Sequence, residues 1–456
     1  MNKLSNFCMA PWTHTYMSPQ GERRLCCTSR EPSTNFKQYI DSTEALKGSS
    51  KEEVMNYLKN KQRIHLPSLE EHWNSEHMKS VRKRMLAGEA LPECQVCNTG
   101  ELNTDVYRDY FKHLFEHKYD EVLETTDSDG HTTMKPVSWD YRFSNLCNFK
   151  CRMCGPMLSS SWETEERKMG GDSVKDHQPW LKHRDEIKKF QNTVVEEEFS
   201  RAVEEHRIEE IYWVGGEPLM YEQHWRYMNR IVELGDGPRL YARYNTNLSR
   251  ISDGTSHLWR DILSHVRDWQ IGASIDGTGQ TGEYIRTGLN YNNWLENFRE
   301  GITYTTNPRQ MRLDFTLTTP GLTEIKNMYD LSKEFDVTLL TKVCFAFTPE
   351  VIMCPRAVPR DILDEIIDDC LEYCKDYTQK QKPLIDVLEN LKKTDTFIDT
   401  YDDITYNNGM VQGKKRLRIL ETRRQSNYNM EDCLREYPKL LQWWEGIPDA
   451  MDQKFN

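Results

Sequence analysis

The sequence predicts an α/β protein: a partial (β/α)6, TIM-like barrel with a small N-terminal α+β cysteine-rich module and a helical C-terminal extension. Two observations carry that expectation. Six short runs rich in β-branched and aromatic residues recur between Val137 and Phe347, and long amphipathic stretches separate them. That alternation is the signature of parallel strands joined by right-handed crossover helices. The cysteines provide the second observation, since most of those before residue 155 fall in tight groups while the later ones are scattered.

In chain order, residues 1–130 read as the cysteine-bearing module and a linker. THTYMS, the turn residues Pro19-Gln20-Gly21 and then RRLCC predict a β-hairpin, and Ser75 to Gly88 carries apolar residues at helical spacing. The acidic, turn-rich run DEVLETTDSDG, ending at Gly130, reads as a linker. Residues 131–350 form the predicted barrel, with strands VSWDYRF ending at Phe143, IEEIYWV at Val214, LYARYN at Asn245, WQIGASI at Ile275, MRLDFTLT at Thr318 and VTLLTKVCFAF at Phe347. Residues 351–456 are helical: Ile362, Leu363, Ile366, Ile367, Cys370, Leu371 and Cys374 share one stripe.

At 456 residues, with 37% hydrophobic and 29% charged residues, the chain has the composition of a folded protein with a sizeable core. Sixty basic against 72 acidic side chains give a net charge of -12, which offers no whole-chain footprint for nucleic acid. The N-terminal residues lack a signal-peptide core, and no apolar run is long enough to span a bilayer. The expectation is a cytoplasmic protein without a membrane partner. In that reducing compartment the 13 cysteines point to metal ligation or catalysis rather than disulfides.

Ligands of parallel α/β folds collect at the carboxyl ends of the strands. Directly after the first barrel strand stands Cys147-Asn148-Phe149-Lys150-Cys151-Arg152-Met153-Cys154, three thiols in one short loop. Thiolates suit iron-sulfur clusters and zinc. The second strand ends in Gly215-Gly216-Glu217-Pro218, where adjacent glycines admit close approach and a carboxylate suits an ammonium group. The third ends in Asn245-Thr246-Asn247, whose amides suit either a ligand or a turn, and the fourth in Ser274-Ile275-Asp276-Gly277, with Arg286 following. Arg286 suits a carboxylate ligand or a surface salt bridge.

The CxxxCxxC spacing, the GGEP segment and the SxDG segment together resemble the radical S-adenosylmethionine (SAM) superfamily over about residues 137 to 350. The resemblance implies a [4Fe-4S] cluster on Cys147, Cys151 and Cys154, with one iron free to chelate SAM. It implies SAM contacts at Gly215, Gly216, Glu217, Pro218, Asn247, Ser274, Asp276 and Arg286. Met153 occupies the adenine-contact position, where the superfamily usually has an aromatic residue. The segment from Cys8 through Cys26-Cys27 to Cys94 and Cys97 resembles the SPASM or shortened twitch module, which holds an auxiliary [4Fe-4S] cluster and here precedes the barrel. Cys8, Cys26, Cys94 and Cys97 are its implied ligands; Cys27 rivals Cys26, and a zinc knuckle is the alternative content.

The implied activity is reductive cleavage of SAM to a 5'-deoxyadenosyl radical that abstracts hydrogen from a peptide or a small amino- or sugar-derived substrate. An auxiliary cluster favours an oxidative outcome, and a flavodoxin- or ferredoxin-type protein is the expected electron donor. A non-enzymatic iron-sulfur carrier or a zinc-stapled binding protein is the alternative. Cys344, Cys370 and Cys374 read as buried hydrophobes, and Cys354 as either a buried residue or a hydrogen donor near the substrate.

Overall fold

The N-terminal hairpin forms as predicted, from β1 (His14–Met17) and β2 (Arg23–Arg24) in antiparallel register. Gly21 turns it at φ +76°, a conformation that favours glycine. Six further strands follow, one in each predicted run: β3 (Ser138–Tyr141), β4 (Glu210–Trp213), β5 (Tyr241–Thr246), β6 (Asp268–Ser274), β7 (Met311–Leu317) and β8 (Thr338–Val343). This computed structural model describes residues 6–31, 50, 66–99, 107–168, 183–346 and 348–449. The predicted end of the last strand, Phe347, lies outside them, and β8 stops at Val343.

The strand order is β2-β1-β3-β4-β5-β6-β7-β8. β1–β3, β3–β4, β6–β7 and β7–β8 pair in parallel, so the sheet is mostly parallel and the fold is α/β. Because β1 pairs with β3, the hairpin of the cysteine-bearing segment extends the sheet by two strands beyond the predicted six.

By packing, the chain forms two compact units, Met1–Leu146 with Pro156–Arg243 and Arg260–Trp269, and Cys147–Gly155 with Tyr244–Trp259 and Gln270–Asn456. In the first, strand alternation sends Trp139, Tyr141, Phe143 and Trp213 to one face. There they meet Phe199 of helix Glu196–Glu204, with ring centroids between 5.4 and 6.0 Å. A second core lies beneath the hairpin, where Phe7, Trp12, Met78, Val81, Met85, Phe111 and Phe115 cluster. Three of these sit on helix Glu76–Leu86, whose N-terminus is capped by Ser75 accepting from the Met78 N–H at 3.3 Å.

The run ending at Gly130, expected as a linker, is a helix, Tyr119–Thr125, followed by a turn. The Asp127 carboxylate accepts from the amides of Asp129 and His131 at 2.9 and 3.0 Å. Gly130 has φ +88°, and a Cβ there would lie 2.1 Å from the Lys79 carbonyl oxygen. The turn is pressed onto the helix that carries Lys79.

In the second unit, Leu313, Phe315, Leu317 and Leu339 of β7 and β8 are buried. Helix Arg360–Tyr373 buries Leu363, Ile366, Ile367 and Cys370 as its stripe predicts. Cys344, Cys354 and Cys374 are buried too.

Candidate metal centres

The loop Cys147–Gly155 is fixed through its backbone and its non-cysteine side chains. Lys150 N–H donates to the Thr287 carbonyl at 2.7 Å and Arg152 N–H to that of Ile285 at 2.8 Å. Phe149 is buried beside Gly288, where φ is +111° and a Cβ would stand 2.9 Å from the Phe149 ring. Arg152 lays its guanidinium 3.6 Å over the Tyr284 ring and donates to Thr287 Oγ1 at 2.6 Å. From the C-terminal end of helix Asp403–Arg424, Arg424 donates to the Lys150 carbonyl at 2.9 Å and to Thr287 Oγ1 at 3.0 Å. The structure thus spends Asn148, Phe149, Lys150 and Arg152 on anchoring, and Cys147, Cys151 and Cys154 are half-buried.

Burial pushes the Cys151 thiol up, as do the neighbouring Cys154 and Cys147, while Arg286 opposes the rise. Burial likewise raises Cys154, against a hydrogen bond at Gly155 and the Arg286 charge. Arg286 faces a wholly buried carboxylate: its Nε lies 2.7 Å from Asp276 Oδ2, and its Nη2 donates to Oδ1 at 3.1 Å. Burial works against the guanidinium's charge, but Asp276 and the two thiols hold its pKa above the ordinary value. Asp276 also accepts from Thr316 N–H at 2.8 Å, so its role here is to seat Arg286 on the sheet. A cluster binding three thiolates needs a compensating cation beside displaced thiol protons, and this donor set fits it.

Asn247 donates to Asn148 Oδ1 at 2.9 Å, and its own Oδ1 accepts from Ser249 N–H at 3.0 Å. It therefore combines the turn role with a hold on the cysteine loop. Ser274 closes β6, and Met153 is half-buried in the loop.

In the first unit, Gly215 has φ +133° and a Cβ on Gly216 would lie 2.3 Å from the Leu146 carbonyl oxygen, so both positions demand glycine. Glu217 donates its backbone N–H to Leu146 O at 2.7 Å. Its carboxylate is buried and accepts from Leu219 N–H at 3.0 Å, capping the short turn Pro218–Met220. This segment is built for close backbone approach.

The N-terminal thiols converge. Cys8, Cys26, Cys94 and Cys97 line a single small cavity with Ala10, Leu25, Val96 and Phe111. Cys8 is pushed up to about 12 and Cys94 to about 11, in both cases chiefly by burial. Cys27 is not among the lining residues; Asp140, Arg142 and Tyr107 are its neighbours instead. Four soft donors around an apolar space fit a closed thiolate-held centre. Among the described residues no three His, Cys, Asp or Glu groups stand as the ligands of one ion; thiols around a four-iron cube stand further apart than that.

No protein-family model matches the chain, and no curated protein is found similar to it. Two features of these sites escape sequence reasoning. Arg152 and Arg424 anchor the cysteine loop, and nothing in their spacing marks them. The charged face shared by β3, β4 and β5 went unread as well, although the alternation in Ser138-Trp139-Asp140-Tyr141-Arg142, which puts every second residue on one face, is the signal that finds it.

Proposed function

We propose that the protein is a radical SAM enzyme, built on a partial barrel, with an auxiliary iron-sulfur centre in its N-terminal segment. The observation that carries the reading is the loop Cys147–Gly155, which presents three half-buried thiols, two of them beside the Arg286–Asp276 pair, while its other side chains and its backbone anchor the loop. When bound, a [4Fe-4S] cluster held by three thiolates supplies a free iron that chelates SAM and the electron that opens its C–S bond to a 5'-deoxyadenosyl radical.

The chain's own groups do the positioning. Cys147, Cys151 and Cys154 would hold the cluster, and Arg286 supplies a fixed positive charge beside Cys151 and Cys154. Asp276 keeps that guanidinium in place, and Arg424 and Arg152 keep the loop in place. Gly215 and Gly216 let the strand end pack directly on Tyr221 and on the Leu146 carbonyl just before the cysteine loop, and Glu217 supplies a buried carboxylate suited to an ammonium group. Cys8, Cys26, Cys94 and Cys97 would hold the auxiliary centre, which suits removal of an electron from a peptide or small amino- or sugar-derived substrate. The cytoplasm is the compartment that suits these thiols, with a flavodoxin- or ferredoxin-type donor. Among the described residues no helix is long and apolar enough to cross a membrane.

The test is anaerobic reconstitution with iron and sulfide, followed by dithionite and SAM. Formation of 5'-deoxyadenosine, lost in Cys151→Ala, is the expected result. Intact clusters without SAM cleavage would overturn the proposal in favour of an electron carrier, and zinc without sulfide would favour a stapled binding protein.

A further inference from the structure

Parallel sheets are normally apolar on both faces, because helices cover both. In the first unit the sheet is aromatic on one face and charged on the other. The register aligns His14 with Ser138, Tyr16 with Asp140, and Ser138 with Glu210, and strand alternation adds Arg142, just past β3, and Tyr212 of β4 to the same side. Arg243 of β5 joins them, with its guanidinium carbon 4.2 Å from the ring centroids of both Tyr110 and Tyr212. Such a face costs stability unless its charges are used.

The two arginines are not held alike. Arg142 forms a fork with the buried Asp140, both contacts at 3.1 Å, so that pair is neutral. Arg243 has only Glu210, at 3.6 Å, and its guanidinium donates no hydrogen bond to any described residue. Glu210 is already engaged: Oε1 accepts from the Tyr110 hydroxyl at 2.9 Å and Oε2 from Ser138 Oγ. A guanidinium with its edge donors unused and its side chain only 12% exposed is a planar fork that matches an oxyanion. Tyr107 ties this place to the four-thiol cavity, which it lines while hydrogen-bonding Cys27.

We propose that Arg243 forms an oxyanion subsite on the charged face of the sheet that takes a carboxylate or phosphate group of the substrate. The word substrate rests on the proposed radical SAM reading; the anion site itself does not. A carboxylate or phosphate seated there brings the rest of its molecule beside the four-thiol cavity.

The experiment uses full-length protein purified without oxygen. Its thermal midpoint is followed against inorganic phosphate and against acetate, at ionic strength matched with chloride. A saturable rise is expected, with the tighter of the two anions naming the group. Arg243→Gln should abolish the rise, and exposed Arg299→Gln should leave it. Arg243→Lys, which keeps the charge but loses the fork, should weaken the anion at least about tenfold. No saturable rise in the wild-type protein overturns the proposal, as does full anion affinity in Arg243→Lys or Arg243→Gln. Wild-type formation of 5'-deoxyadenosine is measured separately: its absence would sink the radical SAM reading and leave a positive anion result standing.

Discussion

Replacing Arg286 by alanine tests whether Asp276 is a buried charge that exists only because it is paired. Asp276 is wholly inaccessible, and without Arg286 its single remaining hydrogen-bond donor is the Thr316 N–H at 2.8 Å. Breaking a buried pair by removing one partner costs about 3–5 kcal/mol, because the other charge is left without compensation. For a unit of roughly 150–250 residues that corresponds to a fall in Tm of roughly 6–20 °C. Replacing both residues by leucine removes the uncompensated charge and should recover most of the loss. Differential scanning calorimetry of the metal-free protein at neutral pH measures both variants against the wild type. A fall of less than about 2 °C in Arg286→Ala, or a larger fall in the double variant than in the single, would refute the reasoning.

Three further outcomes are expected. His14 is buried, and its pKa is pulled down to about 3, chiefly by burial and then by the charges of Arg243 and Arg142. The folded ring is neutral, so its contribution is full above the unfolded value of 6.5 and is lost as pH falls toward 3. That amounts to about 2 kcal/mol by pH 5; His14→Asn should flatten the acid limb of a urea-stability profile by this amount, and an unchanged limb counts against it. After anaerobic reconstitution Cys26→Ala should drop from about eight bound irons toward about four, whereas Cys27→Ala should retain them; equal losses would reject the assignment of Cys26 to the cavity. Arg424→Ala releases the Lys150 carbonyl and Thr287, so iron should leave to a chelator about tenfold faster, and an unaltered rate would remove Arg424 from the loop's support.

Strands β3 to β8 were legible because each is a short β-rich run bounded by turn residues, and the helix over Glu76–Leu86 because its apolar residues repeat at helical spacing. The gathering of Cys8, Cys26, Cys94 and Cys97 was legible only through a family resemblance, since spacing alone does not bring thiols so far apart in sequence into one cavity. Pairing of β1 with β3 was not legible: periodicity defines a strand but not its neighbour, and 120 residues separate their ends. Gly130 misled because Asp, Ser and Gly compose linkers and tight turns alike; what distinguishes them is the Lys79 carbonyl under the glycine. Arg424 lies 274 residues from the carbonyl it holds, and such contacts leave no local trace.

The two thiol sets differ in a way that bears on how each would be used. Burial raises Cys8, Cys26 and Cys94 in one set and Cys151 and Cys154 in the other, so loading either with metal must expel protons, and the cost falls where a cation stands by. Around Cys8 and Cys94 the space is apolar and Arg108 is the neighbouring cation that lowers both pKa values, which favours a centre that is loaded once and closed. Around Cys151 and Cys154 the cation is Arg286, already neutralised by Asp276, and all three loop thiols remain half-exposed. A site whose charge is balanced before any ligand arrives and whose thiols stay accessible is suited to exchanging a bound molecule at each turnover. On the proposed reading, the difference between a store of electrons and a reaction site therefore lies in the ion pair beside the loop thiols and in the burial of Cys8 and Cys26, since Cys94 and Cys97 are half-buried like the loop thiols.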